Sequence, residues 1–562
     1  RELVRRSAPR AIRPKMIILA PIALSFAAPS SELPTIWPAP STSSSGTVVR
    51  TVIPSAAFFR LSRGSSPLLE AAFERYAGLA FPHAADAPSL DSATSALGCA
   101  MPLVAPAAIT CMQIEVTDLA EDHPRLDTDE SYTLSISDDG AETAVRGATQ
   151  TVYGALRLLE TFSQLVAFDF DCGRYEVGGT PWRIADAPRF AHRGLMIDTA
   201  RHYEPLAAVR AIVDSLAYAK LNVLHWHMVD IQSFPFESTS SPRLWEGAFA
   251  PSQRYTQADV AAVVEHARLR GVRVIVEFDM PGHAASWCVG YPQLCPAADC
   301  TMPLNLAQKE TFERIEKLLL ECTGGAASSP GKPSGLFPDG FIHLGGDEVN
   351  TDCWIKTPSI ARWLTARNMS AADGYAYFVR KTAALAIAQG RRPVQWDEVY
   401  DLLKGGLPKQ VIVHVWRGAT NVTEVLAAGH SVLRNVDGGN TSWYLDGLGV
   451  RWDEVYANEP CRGVPDALCP QILGGHGEMW GESVDASDLQ QTVWPRLAAV
   501  AEKLWSPRAA TTDASAAAPR IARFRCLLNE RGVAAAPVAN AMARSAPTGP
   551  GSCLAQRRRR RR

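Results

Sequence analysis

The chain has 562 residues, 47% of them hydrophobic and 20% charged, with a net charge of −2. That length admits several domains, although a single α/β barrel can use more than about 250 residues. A near-neutral charge with no strongly basic folded segment argues against a nucleic-acid partner.

Met16 follows a basic stretch containing Arg5, Arg6, Arg10, Arg13 and Lys15. The apolar run from Met16 to Ala28, with small residues Ser25 and Ala27 suited to cleavage, predicts a signal peptide too short to span a bilayer. Residues 1–15 would then lie upstream of the true start. No other stretch is apolar for long enough to cross a membrane. The expected location is the secretory pathway: lysosome, vacuole or extracellular space.

The twelve cysteines fit that compartment, and no paired CxxC sets suggest zinc. Local pairs are expected for Cys99–Cys111, Cys461–Cys469 and Cys526–Cys553, with Cys353 joined to one of Cys288, Cys295 or Cys300. Sequons at Asn368, Asn421 and Asn440 point the same way.

Four segments are expected: 1–30, an upstream extension and signal peptide; 31–180, a small α+β domain; 190–545, a catalytic barrel; and 546–562, a disordered tail. In the second, a Ser/Pro/Thr-rich stretch around Pro38 to Gly46 precedes alternating strands such as Tyr132–Ile136 and a helix near Thr151 to Leu165. It holds no dense cluster of catalytic residue types, so its expected role is scaffolding. The tail ends in Arg557 to Arg562, like charges that cannot pack together.

From about residue 190 short apolar strands alternate with amphipathic helices. Strands are expected at Gly194–Asp198, Asn222–Val229, Val272–Asp279, Gly340–Leu344, Pro393–Trp396, Val411–Trp416, Ser431–Arg434 and Ile472–Gly475, with helices such as Pro205–Lys220 and Gln257–Arg270 between them. Eight such strands predict an α/β fold of (β/α)8 TIM-barrel type, because a doubly wound sheet would show a glycine-rich fingerprint after its first strand.

Active sites of such barrels lie at the C-terminal strand ends. Read in order, those ends offer Asp198 with Arg201, then His225, His227 and Asp230, then Glu277, Asp279 and His283. Asp347-Glu348, Trp396 with Asp397-Glu398, Trp416, Trp443-Tyr444 with Asp446, and Trp480 with Glu482 follow. The fourth end is the most informative: a short apolar run and two glycines lead to adjacent acids, which are costly to bury unpaired. Aromatic rings stack on the C–H faces of sugars while carboxylates bind hydroxyls, so five aromatics among acids suggest a sugar site. A metal on His225 and His227 is the rival reading, but barrel metal hydrolases place such a pair on the first strand and here it lies on the second. No metal and no cofactor are expected.

Several stretches, in order, resemble the β-N-acetylhexosaminidases of glycoside hydrolase family 20, eukaryotic lysosomal or secreted type. They are residues 192–203 (HRGLMIDTARHY), 222–230 (NVLHWHMVD), 277–283 (EFDMPGH), 343–349 (HLGGDEV), 443–446 (WYLD) and 474–482 (GGHGEMWGE). Residues 158–165 (LLETFSQL) resemble the family's N-terminal domain.

The resemblance implies an exo-acting, retaining enzyme on terminal N-acetylglucosamine or N-acetylgalactosamine of chitin oligomers, N-glycans or glycoconjugates. Glu348 would be the general acid and Asp347 the residue that orients the 2-acetamido group. Ordinary retaining glycosidases hold a carboxylate nucleophile ~5–5.5 Å from the acid; in this family the substrate's acetamido oxygen attacks instead, through an oxazolinium intermediate. Asp230 and His283 would relay to Glu348. Arg201 with Glu482 would clamp sugar hydroxyls, and Trp396, Trp416 and Trp480 would wall the acetamido pocket and sugar face. Tyr444 would hydrogen-bond the acetamido oxygen. Asp446-Gly447 stands where family members that accept charged sugars carry Asn-Arg, so a preference for neutral sugars is expected. The insertion from Thr323 to Pro338 departs from the family's spacing, and a homodimer is a family expectation. The competing readings are an inactive carbohydrate-binding or adhesion protein on the same fold and a disaccharide-releasing relative.

Overall fold

The computed structural model describes residues 35–84, 108–138, 144–170, 172–325, 335–438, 441–447 and 449–538. The proposed signal peptide and arginine tail lie outside these residues, as do Asn440, Cys99 and Cys553 and hence two of the expected disulfides.

The first unit is a seven-stranded mixed sheet of β1 (Thr42–Val52), β2 (Phe59–Leu61), β3 (Met112–Asp118), β4 (Tyr132–Ile136), β5 (Val145–Thr151), β6 (Val166–Asp169) and β7 (Arg174–Asp186). The strand β1 begins inside the Ser/Pro/Thr-rich stretch. Its polar residues are exposed there, so pairing with β7 extends the strand without needing apolar burial. The expected helix forms at Val152–Leu165, started by Thr151, whose side chain accepts a hydrogen bond from Gly154 N. Every residue of this helix is buried, including Arg157 and Glu160.

Those charges belong to the junction with the second unit. Arg157 Nε and Arg193 Nη2 donate to the two oxygens of Glu130 at 2.8 and 2.6 Å. Burial would raise the Glu130 carboxyl, but Arg193 and Arg157 bring it below its ordinary value. Beside it, Lys220 Nζ lies 2.9 Å from Asp186, which also accepts from Tyr132 and Trp505.

The second unit is a closed parallel barrel of β8 (His192–Asp198), β9 (Val223–Val229), β10 (Arg273–Phe278), β11 (Phe341–His343), β12 (Arg392–Trp396), β13 (Ile412–Val415), β14 (Val432–Arg434) and β15 (Ile472–Met479). Alternation along each strand divides two environments. Leu224, Trp226, Val274, Val276, Phe278, Val413 and Val415 join the large core shared with the helices. Val223, Ile275, Phe341, Val394, Ile412 and Leu433 form a separate apolar cluster. Two residues further along come His225, Glu277, His343, Trp396, His414 and Asn435, all buried: a polar layer between the apolar floor and the C-terminal mouth.

Disulfides Cys288–Cys295 and Cys300–Cys353 tie the loops after β10 and β11, and Cys461–Cys469 forms as expected. Asn368 and Asn421 are exposed, and Asn421 caps a short helix through Glu424 N. The helix Lys309–Thr323 precedes β11, and residues 326–334 of the expected insertion lie outside the described residues. No described helix is long and apolar enough to cross a membrane.

Candidate active site

Turn chemistry at the mouth is built from the acids themselves. Asp198 Oδ1 accepts from Ala200 N and Arg201 N at 2.9 and 3.1 Å, while its Oδ2 accepts from Arg201 Nη1 at 2.7 Å and Gly481 N at 3.0 Å. One carboxylate thus shapes the loop after β8, aims Arg201 and ties that loop to the one after β15. Arg201 also lies 2.8 Å from Asp230 and 3.6 Å from Glu482, and its guanidinium sits 5.0 Å from the Trp480 ring centroid.

After β11 the chain turns through Gly345 (φ 64°) and Gly346 (φ 100°). A Cβ at Gly345 would collide with the Asp279 carboxylate, whose Oδ1 accepts from Gly346 N at 2.9 Å. Only glycine permits this approach. The turn delivers Asp347, which is buried, and Glu348, whose side chain is 62% exposed. Adjacent acids therefore meet opposite environments. Glu348 and His283 both adopt left-handed backbone (φ 48° and 49°), a strained state for non-glycine residues that is common at functional sites.

His283 connects the acids. Its Nδ1 lies 3.1 Å from Asp230 Oδ1, and its Nε2 faces Glu348 at 3.6 Å and Asp347 at 3.8 Å. Burial would lower this imidazole, but the Asp230 hydrogen bond and the charges of Asp347 and Asp230 raise it to about 9. Burial would likewise raise Asp230, yet hydrogen bonds from His227 and His283 hold it well below the usual carboxylate range. Asp347 is raised, by burial first. Its buried neighbour Asp279 goes much higher, through burial and the charge of Asp347. Asp347 Oδ1 is buried with no hydrogen-bond partner among the described residues.

The aromatic residues divide. Trp396 is 1% exposed, donates to Glu277 at 3.0 Å and stacks on His414 at 4.2 Å, leaving little of its surface to line the mouth. Trp480 lies 6.0 Å from it. Trp416 is half-buried and donates to Glu398 at 2.9 Å, and Tyr444, also half-buried, places its hydroxyl 3.5 Å from the Trp416 carbonyl. Trp443 departs from the expectation: it is fully buried and donates to Val455 O, so it is a core residue and the mouth has one aromatic fewer. Asp446 is half-buried, with Oδ1 unpartnered among the described residues and its carboxyl raised by burial.

Sequence reasoning passed over the contacts of Glu277, His225, His227 and His343. In the barrel register Glu277 pairs with His227 on one side and His343 on the other, a relation across strands that no local pattern carries. The available signal was the period-two spacing of His225 and His227. Donor atoms of His225, His414 and His476, of His225, Glu277 and His343, and of Asp279, His283 and Asp347 lie close enough within each group to hold an ion. Several of these imidazoles hydrogen-bond one another instead, as His225 to His476 and His343 to His414.

A closed parallel barrel whose mouth gathers adjacent acids, an arginine among carboxylates and several aromatic rings is the architecture of a barrel glycosidase. Residues 190–508 match the catalytic domain of glycosyl hydrolase family 20, and residues 36–165 match a beta-acetyl hexosaminidase-like domain. The chain is 42% identical to Beta-hexosaminidase 1 of Arabidopsis thaliana, over 95% of this chain and 96% of that protein. It is 35% identical to Beta-hexosaminidase subunit alpha of Rattus norvegicus, over 90% and 94%. Among solved structures, a Flavobacterium johnsoniae chitobiase superposes with TM-score 0.72 at 25% identity, covering 89% of this chain and 73% of that one. The chain belongs to glycosyl hydrolase family 20, among its β-hexosaminidases, and has their exo-β-N-acetylhexosaminidase activity.

Proposed function

We propose that this enzyme removes terminal, uncharged N-acetylglucosamine or N-acetylgalactosamine from chitin oligomers and N-glycans by substrate-assisted, retaining catalysis. The observation that carries the reading is the split environment of two adjacent acids: Asp347 buried, Glu348 open to solvent. An exposed acid 3.6 Å from His283 is placed to give a proton to a leaving oxygen and later to take one from water. A buried carboxylate oxygen without a partner suits the N–H of an acetamido group, whose carbonyl oxygen then attacks the anomeric carbon.

Arg201 and Glu482 bind hydroxyls at the far side of the sugar, and Trp416 and Trp480 wall the ring and acetamido group, with Trp396 behind them. Tyr444, whose hydroxyl lies 3.5 Å from the Trp416 carbonyl, donates to the acetamido oxygen. Asp446 repels a sulfate at the 6-position. Replacing Asp446 by Asn therefore narrows, about fivefold, the gap in kcat/KM between neutral and 6-sulfated nitrophenyl substrates. Disulfides among the mouth loops support a location in the secretory pathway.

The test is nitrophenol release from the β-linked N-acetylglucosaminide. Glu348→Gln should lower turnover by roughly 10²–10⁴-fold, the range of general acid–base catalysis. Folded wild-type protein that binds the sugar without turning it over defeats the proposal.

A further inference from the structure

Behind Asp230 lies a second histidine–acid pair. His227 turns Nδ1 to Glu277 Oε2 at 2.7 Å and Nε2 to Asp230 Oδ2 at 3.0 Å. Ionised carboxylates only accept, so both ring nitrogens must carry hydrogen and the ring is an imidazolium. The groups around it agree: Glu277 from β10, Asp230 from its own loop and Asp198 from β8 all favour the cation, and they overcome the burial that opposes it. Just after β15, Trp480 presents a ring 5.0 Å away.

Glu277 is fully buried and lies at the centre of this layer. It accepts from His227 and from Trp396 Nε1, and His225 and His343 lie 2.8 and 2.9 Å from its oxygens. The tautomer of His225 follows from a one-way series. Arg273 can only donate, so His192 accepts at Nδ1 and donates to His476, which donates to His225 Nδ1. His225 is then neutral, with its protonated Nε2 2.8 Å from Glu277 Oε2. His227 is thus the charged ring among the histidines that face Glu277.

We propose that His227 and Glu277 are positioning residues for proton donation by Glu348, forming with Asp230 and His283 an alternating series Glu277–His227–Asp230–His283–Glu348. The imidazolium of His227 and Arg201 occupy Asp230 Oδ2, which leaves Oδ1 to His283 Nδ1 and turns Nε2 of that ring toward Glu348. The same Glu277 holds the Trp396 indole, so the proton donor and the residue backing the pocket wall share one anchor. This inference rests on the reading of Glu348 as the acid.

The test compares kcat/KM of wild type, His227→Gln, Glu277→Gln and Glu348→Gln on two substrates with the same sugar. One is the 2,4-dinitrophenyl glycoside, whose leaving group departs without a proton; the other is chitobiose, whose leaving group needs one. His227→Gln and Glu277→Gln should lose about tenfold or more extra on chitobiose, in the direction of Glu348→Gln. Equal losses on both substrates would reduce the pair to structural support and overturn the proposal. Equal losses for Glu348→Gln would instead overturn the acid assignment. Should the variants fail to fold, histidine ring ¹⁵N spectra of the wild type decide. The rings of His227 and His283 are both expected as imidazolium at pH 7.5; if the His227 ring is neutral there, the proposal fails.

Discussion

Two sets of buried charges stand at different places on the barrel and behave differently. At the junction with the sheet, Glu130 is enclosed by Arg157 and Arg193, and Asp186 by Lys220, Tyr132 and Trp505. Each carboxylate there has its donors and nothing further to bind. At the mouth, the series through Asp230 and His283 ends on Glu348, exposed, and beside Asp347, which keeps an unpartnered oxygen. The same residue types give a fastening in one place and a reactive site in the other. What separates them is whether the hydrogen bonding closes on the protein or is left for a ligand to complete.

Breaking the fastening should have the largest effect. Glu130→Ala leaves two buried guanidinium groups without their carboxylate and should cost about 3–5 kcal/mol in urea unfolding, with kcat per folded molecule unchanged. A matching loss of kcat would mean that the junction also shapes the mouth. Asp347→Asn should show the inverse: kcat down by about 10²–10³-fold, while the melting temperature holds or rises. Burial raises this carboxyl, so its ionised form opposes folding above its unfolded pKa, and an amide removes that penalty. A melting temperature lowered as far as in Glu130→Ala would erase the distinction. The smallest effect is a pH dependence. His283 titrates near 6.5 when unfolded and about 9 when folded, so its stabilisation is complete below pH 6.5 and is lost as pH rises through 9. Wild type should lose about 3 kcal/mol across that window, and His283→Gln should lose less, as read by unfolding at fixed pH values.

The barrel was legible because each strand is a short apolar run bounded by polar turns. The expected Pro393–Trp396 and Val411–Trp416 differ from the observed strands only at their ends. The Asp347-Glu348 pair was legible because two acids after a buried strand have no packing use. What could not be read depends on neighbours distant in sequence. Glu277 becomes a centre only when register sets it between His227 and His343, and Trp443 looks like a mouth residue until Val455 O meets its indole. The sheet order, with β7 between β1 and β4, likewise follows from long-range pairing that local alternation does not encode.

The left-handed backbone at Glu348 sets selection against itself. At φ 48° asparagine or glycine would be more comfortable than glutamate, and either would remove the proposed proton donor. A lineage under pressure for stability alone would drift toward a sturdier, silent protein at this codon. On the reading of Glu348 as the acid, the strain held at this position is stability given up for turnover.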